Sequence, residues 1–319
     1  MANFDVFNGD ADGICSLIQL RLSKPLDSEL VTGVKRDISL LDRVSAEAGD
    51  QVTVLDISLD KNREGLQKQL ARGAYCFYVD HHFPGDIPEH KNLQTLINTA
   101  PDTCTSILVS GHLKGAHLAW AVVGAFGDNL KKSALALAKH LACSEQELAD
   151  LEELGVLINY NGYGSAIEDL HFPPDQLYKR LCVHQVPADF LQNDTETYNK
   201  LKNGYQQDMA AAEAVKPVFD SNSSRVYLFP DESWAKRVSG VFGNDLANRN
   251  PNLAHAVVTK RPDNTYLISV RAPLENKTGA DEICRQFPTG GGRKAAAGVN
   301  ALPADMLDEF IQVLDQYYR

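Results

Sequence analysis

Short apolar segments alternate with helical patterns over the first half of the chain. Strands are predicted at 3–7, 51–56 and 74–79, and helices at 13–22 and 61–72. Strands that alternate with helices in this way indicate a parallel sheet with helices on both faces. In such a sheet, functional side chains collect just beyond the carboxyl ends of the strands. We therefore expect the functional residues of this half of the chain at the carboxyl ends of the predicted strands.

The second half becomes helical and then returns to an α/β pattern. Residues 116–157 are mostly helical and apolar, and 189–215 are helical but more polar, until Pro217 ends the pattern. Beyond this point, strands are predicted at 225–229, 254–259 and 265–271, and helices at 234–247 and 306–318.

The chain has 319 residues, which at roughly 100–200 residues per domain corresponds to about two domains. We predict a fold of two α/β domains, a parallel-sheet N-terminal domain and a smaller mixed-sheet C-terminal domain. The predicted boundaries are 1–186 for the first domain, 187–221 for a helical linker and 222–319 for the second domain.

Composition limits the partners. Acidic residues number 42 and basic residues 31, and the net charge of −11 opposes tight binding to long nucleic acid, although a short anionic ligand can still bind at a local basic site. The six cysteines are scattered without a Cys-x-x-Cys pair, which argues against a zinc cluster or redox dithiol and favours reduced thiols. Neither a secretory signal nor a membrane-spanning run is visible, so we expect a cytoplasmic protein.

Four segments share a pattern in which an apolar run is followed by Asp or His. The residues concerned are Asp10 and Asp12, Asp56, the triplet Asp80-His81-His82, and Asp128. A single Asp after a strand is usually a turn residue or a helix cap, but the combination is rarer. Several carboxylates brought together repel one another unless a cation neutralises them, and oxygen ligands with one or two imidazoles suit Mn²⁺. The pattern therefore predicts a metal site.

The triplet 80–82, the Asp-x-Asp-Gly turn at 10–13, Asp56 and the Gly-x-x-x-Asp of 124–128 together resemble the DHH phosphoesterase superfamily. The C-terminal half adds the segment GGGRKAAAG at 290–298, with Ser-Val-Arg at 269–271, which is similar to the signature of the DHH-associated substrate-binding domain. The resemblance covers nearly the whole chain and points to the nanoRNase and RecJ-type exonuclease branch. It implies a DHH catalytic domain followed by a substrate-binding domain, with the active site between them.

The resemblance also implies roles for single residues. Mn²⁺ would be held by Asp10, Asp56, His81 and Asp128, with Asp56 bridging to a second ion. His82 would lie beside the substrate phosphate, and Asp80 would support the two histidines. Many family members have a histidine and an acid where this chain has Phe4 and Asn8, so the second ion would have only the weaker amide oxygen of Asn8 as a ligand.

The predicted phosphate-binding groups lie in the second domain. Three consecutive glycines, Gly290, Gly291 and Gly292, let backbone N–H groups approach a phosphate, and Arg293 and Lys294 follow directly. Arg271, at the end of a predicted strand, is the other expected phosphate contact. The alternative is a flexible turn with two solvated charges before a helix.

Two further segments have a structural and a functional interpretation. Residues 101–106 are rich in hydroxyls and resemble a segment near the family's active site, but we expect Asp102 or Thr103 to cap the following helix. Residues 159–164 are turn-rich with two tyrosines that could stack a base, and a plain loop is the preferred interpretation.

The expected function is an Mn²⁺-dependent phosphoesterase, with Mg²⁺ as the alternative ion, that hydrolyses short oligonucleotides or small nucleotide phosphates. Two alternatives stay open: a phosphatase of a non-nucleotide phosphate such as oligophosphate, and a degenerate DHH protein that binds nucleotide without turnover. No membrane or long duplex DNA is expected as a partner, and a homo-oligomer is left open.

Overall fold

The strand and helix alternation of the first half forms one parallel sheet in the computed structural model, which describes residues 1–319. The strand order is β2-β1-β3-β4-β5, and every pairing is parallel. The strands are β1 (Asn3–Phe7), β2 (Glu29–Val31), β3 (Gln51–Leu55), β4 (Tyr75–Asp80) and β5 (Leu93–Ile97). The prediction of a parallel sheet is confirmed, and the central strands β1, β3 and β4 are those predicted from the sequence.

Helices cover both faces of this sheet, as the alternation requires. Val6, Val54 and Tyr78 are in register across the three central strands and pack in one core with Leu66 and Leu70. Those two leucines belong to α2 (Arg63–Ala71). The helices α1 (Ala11–Ser23) and α3 (Thr105–His112) contact the sheet as well. The buried carboxylate of Asp5 on β1 forms an ion pair with Arg21 of α1, which ties that helix to the other face.

The predicted apolar helical region becomes several short helices. The remaining helices up to the second sheet are α4 (Leu118–Gly127), α5 (Lys131–Ala138), α6 (Glu145–Asn161), α7 (Pro174–Leu181), α8 (Pro187–Asn193) and α9 (Thr195–Ala214). The helix α4 packs between α1 and α6. None of the helices is both long and apolar enough to cross a membrane.

The last third of the chain forms a second, mixed sheet with the order β10-β11-β9-β8-β7-β6. Only β7 and β8 pair in parallel. The strands are β6 (Pro217–Asp220), β7 (Ser224–Phe229), β8 (Ala254–Lys260), β9 (Thr265–Arg271), β10 (Gly290–Arg293) and β11 (Ala296–Pro303). Three helices accompany the sheet: α10 (Ser233–Arg249), α11 (Ala280–Cys284) and α12 (Leu307–Tyr318). The prediction of a second, mixed α/β domain is confirmed.

The chain divides into two compact units, Met1–Lys202 and Asn203–Arg319. The finer division at 186 and 222 stays a prediction. Within the predicted linker at 187–221, α8 and α9 are helical as expected, whereas residues 217–220 form the edge strand β6 because they pair with β7.

The glycine-rich segment corrects a prediction. We expected a loop followed by a helix start, but residues 290–293 and 296–303 are the two strands of an antiparallel hairpin. Close packing explains part of this sequence, because a Cβ at Gly290 would lie 1.7 Å from the carbonyl oxygen of Cys284. Gly292 has a φ of +140°, which L side chains rarely adopt.

Candidate metal centre

The neighbouring strands β1, β3 and β4 deliver polar residues to one edge of the first sheet. Asn8 follows β1, Asp56 follows β3, and Asp80 is the last residue of β4. Asp56 has a φ of +60°, and its backbone N–H donates to the carbonyl oxygen of Val79 at 3.1 Å. Aspartate tolerates this left-handed conformation better than most residues, and such backbone strain is often found at functional sites.

Asp80 orients both histidines of the triplet. Its Oδ1 accepts hydrogen bonds from the backbone N–H of His81 at 2.8 Å and from Nδ1 of His82 at 2.7 Å. The Oδ2 atom of Asp80 is buried and has no hydrogen-bond partner. Since the carboxylate accepts from Nδ1, the proton of the neutral His82 ring lies on Nδ1 and the basic nitrogen is Nε2.

His81 presents its other ring nitrogen to three carboxylates. Its Nδ1 lies 3.1 Å from the carbonyl oxygen of Thr103, which can only accept, so Nδ1 carries a proton. Its Nε2 lies 3.4 Å from Asp56 Oδ1, 3.8 Å from Asp128 Oδ2 and 4.0 Å from Asp12 Oδ2. A histidine whose far nitrogen is held by a carbonyl is the usual arrangement of a metal ligand.

Asp12 joins this cluster from α1 and also anchors α3. Its two oxygens accept hydrogen bonds of 2.7 Å from the backbone N–H groups of Thr105 and Ser106. The N-cap residue of α3 is Cys104, and no side chain from its own segment caps the helix. The expectation that Asp102 or Thr103 caps α3 is therefore wrong, because the buried carboxylate of Asp12 takes that place.

The remaining geometry fits a divalent cation. Two sets of three residues could hold an ion, and within each set the ligand atoms lie within 4.8 Å of one another. The sets are Asp56, His81 and His82, and Asp12, His81 and Asp128. The Oδ2 atom of Asp128, the C-cap residue directly after α4, is buried without a hydrogen-bond partner. Such an orphaned carboxylate oxygen beside an imidazole nitrogen is explained by an ion between them.

Electrostatics lead to the same conclusion. Burial, followed by the nearby carboxylates of Asp12, Asp10, Asp128 and Asp80, raises the pKa of Asp56 well above its ordinary value. The side chain of Thr105 donates to Asp56 Oδ1 at 3.2 Å. A hydroxyl donor alone does not neutralise several carboxylates, whereas a divalent cation does.

Asp10 lies beside Asp56 and has further partners that the other acids lack. Its role as an Mn²⁺ ligand stays a prediction. Its Oδ1 caps α1 by accepting from the backbone N–H groups of Asp12 at 3.0 Å and Gly13 at 3.1 Å. Its Oδ2 forms an ion pair with Lys35, which also donates to Asn159 Oδ1 at 3.1 Å. Burial raises the pKa of Asp10, but Lys35 and the helix amides outweigh it and the net shift is downward.

Asn8 and Phe4 have structural contacts. Asn8 Oδ1 accepts from the backbone N–H of Asp10 at 3.3 Å, and Asn8 Nδ2 donates to the Lys35 carbonyl oxygen at 3.3 Å. Phe4 is buried in the core of the first sheet. The metal-ligand role of Asn8 stays a prediction, and in the structure its amide bonds to the main chain.

Sequence reasoning missed Lys35, Asn159 and the carbonyl of Thr103. Lys35 lies on an irregular segment between β2 and β3, where no periodic pattern marks it. Asn159 lies in the last turn of α6, inside the segment that we expected to be a plain loop. Neither residue gives a local sign of the contact between them or of the pairing of Lys35 with Asp10.

The predicted substrate-binding residues lie together in the second unit. Arg293 is paired with Ala296, and Ala296 with Arg271, so both arginines are on the same face of the sheet, two strands or about 10 Å apart. Arg293 and Lys294 are exposed at the hairpin end. The guanidinium of Arg271 donates to Asn244 Oδ1 at 2.6 Å and to the Gly240 carbonyl oxygen at 3.2 Å.

No protein-family model matches this sequence, and no curated protein matches it either. Solved structures do match. The chain is similar to the DHH domain of a protein described as a member of a family of ribosomal proteins, with a TM-score of 0.65 and 14% identity over 99% of this chain and 86% of that chain. It is similar to the exonuclease RecJ bound to manganese, with a TM-score of 0.63 and 17% identity over 99% of this chain and 90% of that one.

A third similar structure is a pGpG-specific phosphodiesterase from Vibrio cholerae, with a TM-score of 0.56 and 14% identity over 100% of this chain and 99% of that chain. At these identities the likenesses concern the fold. They cover both units of this chain in each case, and the triplet 80–82 begins at the last residue of β4, directly after the strand predicted at 74–79. The chain therefore has the two-domain α/β fold of the DHH-domain proteins.

Proposed function

We propose that this protein is an Mn²⁺-dependent phosphoesterase that hydrolyses short oligonucleotides or small nucleotide phosphates. The observation that carries the proposal is the environment of His81 Nε2, which faces the carboxylates of Asp12, Asp56 and Asp128 at 3.4–4.0 Å. The fold supports it, because similar structures include a manganese-bound exonuclease and a pGpG-specific phosphodiesterase.

In this proposal Asp12, Asp56, His81 and Asp128 hold the ion. A divalent ion bound there lowers the pKa of a water and stabilises charge on phosphoryl oxygens. His82 Nε2 is the proposed group beside the phosphate, where it would accept a proton from the attacking water and, once protonated, donate it to the leaving oxygen. Asp80 keeps the proton on Nδ1 of His82 and so fixes which nitrogen does this. Mg²⁺ is the alternative ion, because it also prefers oxygen ligands.

Small substrates agree with the charge. The net charge of −11 opposes the many phosphate contacts that a long duplex needs. We propose Arg271, Arg293, Lys294 and the backbone of Gly290–Arg293 as the phosphate-binding groups. All six cysteines are free, which supports a reducing compartment such as the cytoplasm.

The experiment is a hydrolysis panel with and without Mn²⁺ or Mg²⁺. It includes pGpG, pApA, a pentanucleotide RNA, 3′-phosphoadenosine 5′-phosphate, cyclic dinucleotides and triphosphate. We expect metal-dependent turnover of a short nucleotide substrate that is lost in Asp56→Ala and kept in Asp86→Ala, which removes an exposed acid outside the cluster. If triphosphate were the single panel member hydrolysed, the proposed nucleotide substrate would be wrong and the protein would be a phosphatase of a non-nucleotide phosphate.

The second candidate is a nucleotide-binding protein without turnover. It is favoured by two observations: the Oδ2 atom of Asp10 is already paired with Lys35, and the Asn8 side chain is bonded to the main chain. Binding of panel members without release of product under any metal condition would establish this candidate and contradict the first.

A further inference from the structure

Asp10 is set apart from the other acids of the cluster by its hydrogen bonds. Both of its oxygens are engaged, Oδ1 by the first turn of α1 and Oδ2 by the Lys35 ammonium. The ligand sets that can hold an ion contain Asp12, Asp56, His81, His82 and Asp128, and Asp10 belongs to neither set. The cluster thus has a side suited to a metal ion and a side where a lysine already neutralises an acid.

The Lys35 segment is fixed by contacts on several sides. The backbone N–H of Lys35 donates to the Gly162 carbonyl oxygen at 2.8 Å, and its carbonyl oxygen accepts from Asn8 Nδ2 at 3.3 Å. A Cβ at Gly9 would lie 2.0 Å from the Gly33 carbonyl oxygen, so the turn before α1 touches this segment directly. Lys35 is therefore held at the centre by the main chain on either side of it.

The ammonium itself is largely enclosed. The Lys35 side chain is 22% exposed, and the Asp10 side chain is 3% exposed. Asn159 Oδ1 accepts a second hydrogen bond at 3.1 Å, and the Tyr163 ring centroid lies 5.3 Å from Nζ. An ammonium with an acid, an amide oxygen and an aromatic ring around it has the surroundings of a bound cation.

Charge balance shows what this cation does. The buried or half-buried carboxylates at this edge are those of Asp10, Asp12, Asp56, Asp80 and Asp128. A divalent ion offsets two of these five charges and the Lys35 ammonium offsets a third, so the ammonium does part of the neutralisation that would otherwise need a second ion. A second divalent ion beside Asp10 would have to displace the ammonium and leave Lys35 buried next to it.

We propose that Lys35 is a built-in cation of this centre, which occupies the place beside Asp10 so that the centre takes up one divalent ion rather than two. This inference rests on the proposed function in that it assumes a metal centre.

The test counts metal ions instead of turnover. Purified wild-type protein is dialysed against Mn²⁺, bound Mn is measured by mass spectrometry, and electron paramagnetic resonance distinguishes an isolated Mn²⁺ from a spin-coupled pair. We expect one Mn per chain and an isolated-ion spectrum. Two Mn per chain with a coupled spectrum would overturn the proposal, and so would no bound Mn at all.

Variants then test the role of Lys35 itself. The double variant Asn8→Asp/Lys35→Met removes the ammonium and adds a carboxylate, and we expect it to bind two Mn with a coupled spectrum. The matched single variant Asn8→Asp adds the same carboxylate but keeps the ammonium, and it should still bind one Mn. A double variant that is folded by circular dichroism and still binds one ion would overturn the proposal. One bound Mn in a wild-type protein without turnover on the panel would contradict the proposed function and leave this inference standing.

Discussion

Asp12 on α1 binds the N-terminus of α3. Its Oδ1 accepts a 2.7 Å hydrogen bond from the backbone N–H of Ser106, which lies 94 residues further along the chain. The same carboxylate accepts from Thr105 and lies 4.0 Å from His81 Nε2. One acid thus both satisfies the N-terminus of α3 and faces the candidate metal centre. A substitution of Asp12 should therefore affect both stability and metal binding. Substitutions of other acids in the cluster should affect metal binding without lowering stability.

Asp12→Ala is expected to lower the free energy of unfolding of the metal-free protein by about 2–3 kcal/mol. The variant leaves two buried backbone N–H groups at a helix N-terminus without an acceptor, and charge-assisted bonds are the stronger ones. Urea unfolding measures the change. Asp12→Asn, which keeps one acceptor oxygen, should lose less, and an Ala variant as stable as the wild type would show that the contact does not stabilise α3.

Asp128→Ala should keep the stability of the metal-free protein but lose the stabilisation by Mn²⁺. The Oδ2 atom of Asp128 has no hydrogen-bond partner and other carboxylates surround it, so its removal should not lower the metal-free stability. Mn²⁺ at about 100 times its Kd stabilises a folded protein by about 2.7 kcal/mol, and this Mn²⁺-dependent rise in Tm should disappear in the variant.

Thermal unfolding with and without Mn²⁺ measures the effect of Asp128→Ala. Asp102→Ala is the control, because Asp102 is an exposed acid close in sequence to α3 and outside the ligand sets. An unchanged Mn²⁺-dependent rise in the Asp128 variant would show that this residue is not a ligand.

The parts of the fold that could be predicted from the sequence are those marked by a pattern within a short segment. The strands β1, β3 and β4 and the acids that follow them lie within single short segments, so the alternation and the pattern of apolar run plus acid were enough. The edge strands β2 and β5 were missed because one has three residues and the other has no fully buried position. Short or half-exposed strands carry little periodicity.

Long-range contacts account for the rest. Lys35 reaches Asp10 across 25 residues and Asn159 across 124 residues, and neither separation leaves a local signal. The glycine-rich segment was expected to be a loop because three glycines usually mark one. Its pairing with β11 and the close approach of Gly290 to Cys284 make it a strand, and both depend on tertiary structure.

Asp80→Asn is expected to lower kcat about 10–100-fold with little change in the number of bound ions. One carboxylate oxygen accepts from both His81 N–H and His82 Nδ1, and an amide cannot offer the same charge to the His82 ring. Steady-state kinetics on the preferred substrate, with Mn content measured in parallel, provide the test. Asp86→Asn is the control, and wild-type kcat in Asp80→Asn would exclude an orienting role.

Gly290→Ala and Gly291→Ala form a matched pair on adjacent positions of β10. A Cβ at Gly290 would lie 1.7 Å from the Cys284 carbonyl oxygen, whereas a Cβ at Gly291 meets nothing within 4 Å. We expect Gly290→Ala to lower the free energy of unfolding by about 1–3 kcal/mol and Gly291→Ala to change it by less than about 0.5 kcal/mol.

The same pair tests the proposed phosphate-binding role. If the Gly291 backbone lies against a phosphate, Gly291→Ala should raise KM several-fold while its unfolding curve stays that of the wild type. An unchanged KM would assign the three glycines to packing and backbone conformation alone.

His255 should make the stability of the protein depend on pH. This residue of β8 is fully buried, and neither ring nitrogen has a well-formed hydrogen bond. Burial, aided by Arg225, lowers its pKa from 6.5 to about 4, although the Asn250 backbone and Asp220 oppose the shift. Arg225 is its paired neighbour on β7 and supplies the positive charge beside it.

Because the folded pKa is the lower one, the unfolded chain binds more protons between pH 6.5 and about 4. The free energy of unfolding should therefore fall as pH is lowered through this window, by on the order of 2–3 kcal/mol from this group. Urea unfolding at pH 7.5, 6, 5 and 4 measures it, and His255→Leu should flatten the profile whereas His140→Gln, at an exposed histidine, should not. Parallel profiles for wild type and His255→Leu would show that another group causes the acid sensitivity.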